Sequence, residues 1–264
     1  MTKVAKNSTT QPFDDSTKMI AIKIEGLSKK YKNGFSGERR VLDNLTLTVN
    51  QGEIFGFLGP NGAGKTTTLK LLTGLIFPTS GKAFIFEKEP ADPSLKSLVG
   101  FLPENPQFHR YLTAEELLIY YGELFSLGSK EIRKRIDYLL KLVNLENERH
   151  VLLNKFSKGM IQRIGIAQLI LNDPELIILD EPMAGLDPMG RKMVGDILIK
   201  MKKEGKTVFF SSHILNDAES LCDRVAILEE GKLSMVDSVE NLLNLSSENP
   251  LSSLEDVFIE RTAN

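Results

Sequence analysis

Two patterns of hydrophobic and polar residues follow each other along this chain. Strict alternation in the segments 20–24 and 45–49 predicts strands that bury one face, and the segment 83–86 is expected to join them in an antiparallel layer. Short apolar runs instead predict buried strands of a parallel sheet. These runs are 54–58, 176–179, 207–210 and 224–228.

The segment from about residue 105 to 155 changes to helical spacing. Thr113 and Glu116 form a capping box that predicts the start of one helix, and Ser129 is predicted to cap another. The apolar residues of the second helix recur at helical spacing: Ile132, Ile136, Leu139, Leu140 and Val143. This pattern predicts an inserted helical subdomain.

Helices also alternate with the apolar strands outside that insert. Asp187 followed by Pro188 is typical of a helix start, and this helix is expected to end at Gly205, before the strand at 207–210. Beyond residue 228 the sequence predicts a turn at 230–231 and then a short polar and helical tail. The expected fold class is α/β, a mainly parallel sheet with helices on both faces, plus the antiparallel β layer and the helical insert.

The loop after the strand 54–58 carries the strongest chemical signal. Residues 59–66, here called the phosphate loop, match the pattern G-x-x-x-x-G-K-[ST], and a helical pattern follows directly. Glycines let the backbone wrap around phosphate, so that successive N–H groups point at the anion. Lys65 is predicted to reach the β- and γ-phosphates, and Thr66 to hold Mg²⁺. The predicted nucleotide contacts are Gly59, Pro60, Asn61, Gly62, Ala63, Gly64, Lys65, Thr66 and Thr67.

A pair of carboxylates ends the apolar run at 176–179. Because parallel strands deliver their carboxyl ends to one edge of a sheet, Asp180 and Glu181 are expected beside the phosphate loop. Asp180 is interpreted as the Mg²⁺-side carboxylate. Glu181 is expected on the opposite face of the strand, where it could orient or deprotonate the attacking water. The alternative is a strand that happens to end in solvated acids.

Composition narrows the classes of partner. The chain has 264 residues, with 33 basic and 35 acidic ones and a net charge of -2. This balance leaves no electrostatic footprint for nucleic acid, so no nucleic-acid partner is expected. Cys222 is the single cysteine, which excludes intramolecular disulfides. No apolar stretch approaches the length that spans a bilayer, and the polar residues 1–19 are predicted to form a disordered tail.

The order of the remaining motifs resembles that of ATP-binding-cassette (ABC) ATPases. After the phosphate loop come Phe156-Ser157-Lys158-Gly159-Met160, Asp180-Glu181, Ala184-Gly185-Leu186-Asp187 and Ser211-Ser212-His213. The resemblance implies a P-loop NTPase fold of the RecA-like class. It also implies that residues 20–264 form one ABC ATPase domain, with its helical subdomain at about 105–155.

The resemblance implies further site residues. Ser157 and Gly159 would contact the γ-phosphate of ATP held by a second copy, and Ser157 is also a favoured helix N-cap. Asp187 would communicate across that dimer, and His213 would act at the γ-phosphate. Tyr31 stands where the family has an aromatic ring that stacks on adenine; the alternative is a solvated tyrosine between two lysines.

Two departures from the family pattern concern charge. Glu104 stands where the family usually has a glutamine that touches Mg²⁺ and links to the membrane subunit. A carboxylate can ligate Mg²⁺, but its negative charge lies beside the triphosphate and leaves this role open. The loop 156–160 carries Lys158 and Met160 in place of the commoner Gly and Gln. Such variants resemble those of bacterial exporters whose ATPase and membrane protein are separate chains.

The resemblance therefore implies the ATP-binding subunit of a bacterial, exporter-like two-component ABC transporter. ATP and Mg²⁺ would be its ligands, with Glu181, His213 and Lys65 as catalytic residues and Thr66, Asp180 and Glu104 around the metal. A homodimer or heterodimer of such subunits would power an integral membrane permease from the cytoplasmic face of the cell membrane.

Other functions stay open on the sequence. A soluble ABC-type ATPase that remodels DNA or ribosomes usually carries two cassettes or a long coiled coil, and this chain has one motif set. For a GTPase-like switch, the nearest guanine selector is the segment 154–157, which lacks the required acid. A structural nucleotide-binding module is disfavoured by the intact Glu181.

Overall fold

A computed structural model describes residues 19–32, 37–245 and 253–255. Within them the alternating segments form an antiparallel sheet. Its strands are β1 (Ile20–Lys32), β2 (Glu38–Asn50) and, later in the chain, β4 (Ser80–Ile85). The spatial order is β2-β1-β4, so β1 pairs on both sides. The predicted antiparallel layer is confirmed, and β1 and β2 extend well beyond the alternating segments.

A larger sheet carries the strand that leads into the phosphate loop. Its members are β3 (Ile54–Leu58), β5 (Val99–Leu102), β6 (Leu176–Asp180), β7 (Thr207–Ser212), β8 (Arg224–Glu229) and β9 (Lys232–Ser238). They lie in the order β5-β6-β7-β3-β8-β9. All neighbours pair parallel except β8 with β9. Because β3, β6 and β7 run in the same direction, their functional ends meet at one edge of the sheet.

Side chains leave both faces of this sheet into separate hydrophobic cores. On β3, Ile54 and Leu58 belong to one core, and Phe55 and Phe57 belong to the other. The ring of Phe209 lies 5.7 Å from that of Phe55 and 5.5 Å from that of Phe57, measured between centroids. Burial on both faces explains why these strands are apolar throughout, and it anchors the edge that carries the site.

Helices cover the sheet and form the insert. They are α1 (Lys65–Leu72), α2 (Ala114–Leu124), α3 (Ser129–Leu142), α4 (Lys158–Ile170), α5 (Pro188–Lys203), α6 (Leu215–Leu221) and α7 (Val239–Leu245). The capping box of Thr113 and Glu116 is confirmed, since each side chain binds the other residue's backbone N–H. Asp187 caps α5 as expected, accepting a hydrogen bond from the N–H of Gly190.

Two local predictions are wrong. Ser129 does not cap α3: Gly128 is the N-cap, without a side-chain bond, because its carbonyl accepts the first helical bond from Ile132. The segment 232–238 is the strand β9 and not a polar tail, because the turn at Glu230 and Gly231 folds it back onto β8 as a hairpin. The tail predicted for residues 1–19 lies, except for Met19, outside the described residues.

Candidate active site

Glycines allow the phosphate loop to lie against its neighbours. Gly59 follows β3 with φ 152°, and a Cβ there would stand 2.2 Å from the backbone oxygen of Leu228. Gly64 has φ 114°, and its Cβ would stand 2.6 Å from Leu42 Cδ2 on β2. No larger residue fits either position without moving a strand. The loop is thus held between β8 and β2, with α1 leaving it at Lys65.

Lys65 is buried at the centre of the loop. Its ammonium donates to the backbone oxygens of Gly59 at 2.7 Å and Pro60 at 3.2 Å. It also lies 3.2 Å from Oε1 of Glu181 as an ion pair. That contact lacks hydrogen-bond geometry, so Oε1 is a buried oxygen without a hydrogen-bond partner among the described residues. A buried carboxylate oxygen that accepts no hydrogen bond is costly even beside a cation, which makes Oε1 a ready acceptor for a ligand or water.

The two hydroxyls around Asp180 fix its carboxylate. Thr66 donates to Oδ2 at 2.8 Å, and Ser211 donates to Oδ1 at 2.6 Å. Ser211 is fully buried, and its hydroxyl also accepts the backbone N–H of Glu181 at 3.0 Å. Ser211 therefore positions both carboxylates. In the sequence Ser211 stood out only as part of the motif 211–213, and the available signal for its role was its place at the end of a strand predicted to lie beside Asp180.

Glu181 was expected to lie on the strand after Asp180, but it does not. The strand β6 ends at Asp180, and Glu181 has φ 49°, in the left-handed region. This turn brings its carboxylate into the same site as Lys65. His213 follows β7 and lies with Nδ1 2.8 Å from Oε2 of Glu181, while its backbone N–H donates to the same oxygen at 3.3 Å. The histidine thereby orients Glu181 and leaves Oε1 facing the loop.

A cavity of about 510 Å³ opens over these groups. The predicted residues that line it are Asn61, Gly62, Gly64, Lys65, Thr66, Thr67, Glu104, Glu181 and His213. Arg39 and Val41 also line it and were missed, because only the crossing of β2 over the loop brings them there. Gly59, Pro60 and Ala63 belong to the loop itself and do not line the cavity.

Asp180, behind Thr66, does not line the cavity either, and four more predicted residues lie outside it. Tyr31 is the cross-strand partner of Arg39, is 41% exposed, and has the Lys29 ammonium 5.1 Å from its ring centroid. Ser157 caps α4 by accepting the N–H of Met160 at 3.2 Å. Gly159 and Asp187 likewise do not line the cavity. One chain therefore brings together the phosphate and carboxylate residues but not the 156–160 loop.

The donor set suits a magnesium ion. Mg²⁺ prefers hydroxyl and carboxylate oxygens and is usually held by one or two carboxylates together with substrate phosphates. Thr66, Asp180 and the cavity-facing Glu104 offer such oxygens. The glycine loop and Lys65 beside them suit a triphosphate, since they supply backbone donors and one buried cation.

Comparison with known proteins also indicates an ATP-binding site. Residues 42–184 match the family model described as ABC transporter. Over 221 residues the chain is 48% identical to an ABC transporter ATP-binding protein of Synechocystis, covering 82% of the chain and 62% of that relative. It is 44% identical over 215 residues to the bacitracin transport ATP-binding protein of Bacillus licheniformis, covering 80% of the chain and 68% of the relative. The chain thus spans less than two thirds of the Synechocystis protein.

A solved structure extends the comparison to an assembly. The chain resembles a dimeric ATP-binding cassette in a post-hydrolysis state, bound to ADP and Pi, with a TM-score of 0.75 and 28% sequence identity. The match covers 83% of this chain and 98% of that one. The shared fold is the α/β cassette with its parallel sheet, helices on both faces and antiparallel layer.

Proposed function

Since the chain belongs to the ABC transporter family, we propose that it is the ATP-binding and hydrolysing subunit that powers a two-component bacterial exporter. The observation that carries this is the convergence of Lys65, Glu181 and His213 on one cavity at the phosphate loop. Phosphoryl transfer needs mainly positioning and charge stabilisation, and these three groups supply both.

Each residue has a task in hydrolysis. Lys65 holds the β- and γ-phosphates as a buried point charge. Glu181 accepts a hydrogen bond from the attacking water at Oε1, the oxygen that accepts no hydrogen bond from the described residues, and takes up the water's proton. His213 holds the other oxygen of Glu181 and so sets the direction of that acceptor. Thr66, Asp180 and Glu104 would hold a magnesium ion, which would neutralise charge at the phosphates.

Two copies complete the site in this proposal. Ser157, Gly159 and Asp187 do not line the cavity of their own chain, whereas the segment 156–160 includes the N-terminus of α4, a helix end suited to phosphate. The dimeric relative bound to ADP and Pi supports a sandwich of two chains around two nucleotides. Tyr31 would stack on adenine from the rim, beside the cavity residue Arg39.

The membrane partner belongs to the same proposal. Among the residues that the structure describes, no helix has the length and apolar character to cross a membrane. A separate integral permease would supply the transport path, with this subunit bound peripherally at the cytoplasmic face. The bacitracin transport relative supports a transport role for this subunit. The helical insert built from α2 and α3 would receive the permease.

The substitution Glu181→Gln tests the chemistry. It keeps the shape of the side chain but removes the charged acceptor, so ATP binding should persist while turnover falls about a thousandfold. Because hydrolysis separates the two chains, the variant should form a stable dimer with ATP and Mg²⁺ on size exclusion. A wild-type ATPase rate, or a variant that stays monomeric with ATP, would remove this role from Glu181.

Mixing two inactive variants tests whether the site is shared. Ser157→Arg blocks closure over the partner's ATP, and Lys65→Ala damages the phosphate cradle. A heterodimer of the two has one doubly damaged site and one site with both residues intact. ATPase activity should partly recover on mixing, whereas no recovery together with no ATP-dependent dimer in light scattering would favour a site complete in one chain.

A further inference from the structure

An ion pair joins the first turns of two neighbouring helices. Arg191 lies in the first turn of α5, and its Nη2 donates to both carboxylate oxygens of Asp217, at 2.8 Å to Oδ1 and 2.7 Å to Oδ2. Asp217 lies in the first turn of α6. The side chains are 33% and 15% exposed. Because both groups are charged and partly shielded from water, this contact holds the two helices in one geometry better than a surface pair would.

The two helices start directly after two of the motifs. The helix α5 follows Asp187, its N-cap, whose backbone oxygen accepts the N–H of Arg191 at 2.9 Å. The helix α6 follows Ile214, and Asp217 stands four residues after His213. The Arg191–Asp217 pair therefore ties the residues just after His213 to the start of α5.

The helix α6 has few other anchors near its start. It is seven residues long, about two turns, and so short a helix depends on its tertiary contacts. Its N-cap, Ile214, makes no side-chain capping bond within the described residues. Leu221, at the far end, packs on α5, since a Cβ of Gly195 would stand 3.2 Å from its Cδ2. Leu221 thus holds the end of α6 on α5, and Asp217 holds the start.

The position of His213 depends on that start. Its side chain is 40% exposed, so packing alone does not fix the ring. Its Nδ1 lies 2.8 Å from Oε2 of Glu181, and this contact directs the other oxygen of Glu181 towards the phosphate loop. A shift of about 1 Å at the start of α6 would move the ring away from Glu181, and displacements of that size cost large factors in rate.

We infer that Arg191 is a positioning residue for ATP hydrolysis, which acts through Asp217 and α6 on His213. Arg191 does not line the cavity. A cation in the first turn of a helix opposes the helix dipole, so α5 by itself does not favour an arginine there, whereas Asp217 suits the start of α6. The inference rests on the proposed function, in which Glu181 manages the attacking water.

Steady-state ATPase kinetics of the full chain test the role of Arg191. In Arg191→Ala the value of kcat should fall about tenfold, while the KM for ATP stays within twofold because the phosphate loop is untouched. Asp217→Asn should have a similar effect, and the double variant should be no worse than either single one, since both remove the same contact. Arg191→Lys keeps the charge and should lose less than Arg191→Ala. A kcat within twofold of wild type for Arg191→Ala overturns the inference.

A double-mutant cycle with His213 tests the route of the effect. If Arg191 acts through His213, Arg191→Ala should cost less than twofold in a His213→Ala background, because the group that it positions is already gone. Single-turnover hydrolysis of radiolabelled ATP measures the low rates of these variants. An equal fold loss in both backgrounds overturns the inference.

Arg135 provides a matched control for general destabilisation. It is an arginine of similar exposure, 30%, paired with Glu131 at 2.7 Å on α3, and it does not line the cavity. Arg135→Ala and Arg191→Ala should both lower Tm, but only Arg191→Ala should lower kcat. If Arg135→Ala reduces kcat as much, the loss reflects reduced stability and the role of Arg191 is wrong.

The same kinetics separate this inference from the proposed function. If wild type hydrolyses ATP and Arg191→Ala does so at the same rate, the role of Arg191 is wrong and the proposed function stands. If wild type does not hydrolyse ATP, the proposed function fails first, and the inference fails with it.

Discussion

Removing the hydroxyl of Ser211 should loosen both carboxylates of the site at once. This hydroxyl donates to Asp180 Oδ1 at 2.6 Å and accepts the backbone N–H of Glu181 at 3.0 Å. In Ser211→Ala the bond to the ionised carboxylate is lost, which costs about 1.5 to 3 kcal/mol. The N–H of Glu181 is left buried without its acceptor, which costs about 1 to 3 kcal/mol more. The free energy of unfolding should therefore fall by about 2.5 to 6 kcal/mol.

The catalytic consequence follows from the backbone of Glu181. Its left-handed φ of 49° is unfavourable for a non-glycine residue, and Ser211 holds it there. Without that anchor the carboxylate is less well aligned with the attacking water, so kcat should fall about tenfold or more. Lys65 and the glycine loop remain in place, so the KM for ATP should change much less.

Urea unfolding and steady-state ATPase kinetics measure the two effects of Ser211→Ala. Ser212→Ala is the matched control, because Ser212 is also buried but, among the described residues, its hydroxyl bonds only to the backbone of Ile214. The control should cost about 1 kcal/mol of stability and leave kcat within about twofold. If Ser211→Ala unfolds like the control and retains wild-type kcat, the reasoning about the carboxylate anchor is refuted.

Three further predictions concern binding, reactivity and local stability. Lys65→Ala removes the buried cation at the phosphate loop, so ATP affinity or turnover should fall strongly while circular dichroism is unchanged; equal nucleotide affinity and rate would refute the phosphate-loop interpretation. Burial raises the pKa of the Cys222 thiol well above its usual range. Iodoacetamide at pH 8.5 should therefore alkylate the native protein at least about tenfold more slowly than the urea-unfolded chain. Equal alkylation rates would contradict this. Because the thiol ionises at a lower pH in the unfolded chain than in the folded one, it should make the free energy of unfolding fall as the pH rises above about 8.5. Urea unfolding of wild type and Cys222→Ala across this pH range checks this, since the variant should lack the contribution of the thiol. Thr113→Ala removes the capping box of α2 and should lower the free energy of unfolding by about 1 kcal/mol without changing the KM for ATP, whereas an unchanged stability would show that the cap is dispensable.

The sequence by itself determined the features that depend on local spacing. The phosphate loop is recognisable because the glycines, Lys65 and Thr66 must occur at fixed intervals to wrap a phosphate. The apolar runs predicted β3, β6 and β7 because strands buried on both faces have no polar side to show. The capping box at Thr113 and the Asp187-Pro188 start of α5 were equally local, and the structure contains both.

Features that depend on strand pairing or on packing between separate segments could not be predicted from local patterns. The strand β9 is polar enough to resemble a tail, and only its pairing with β8 makes it a strand. Glu181 reaches Lys65 because the backbone turns into the left-handed region after Asp180, held by a hydroxyl from a different strand. Arg39 and Val41 enter the cavity because β2 packs against Gly64. Glu181 and Ser211, like Val41 and Gly64, are separated by tens of residues in sequence, so no local pattern encodes their contacts and only packing brings them together.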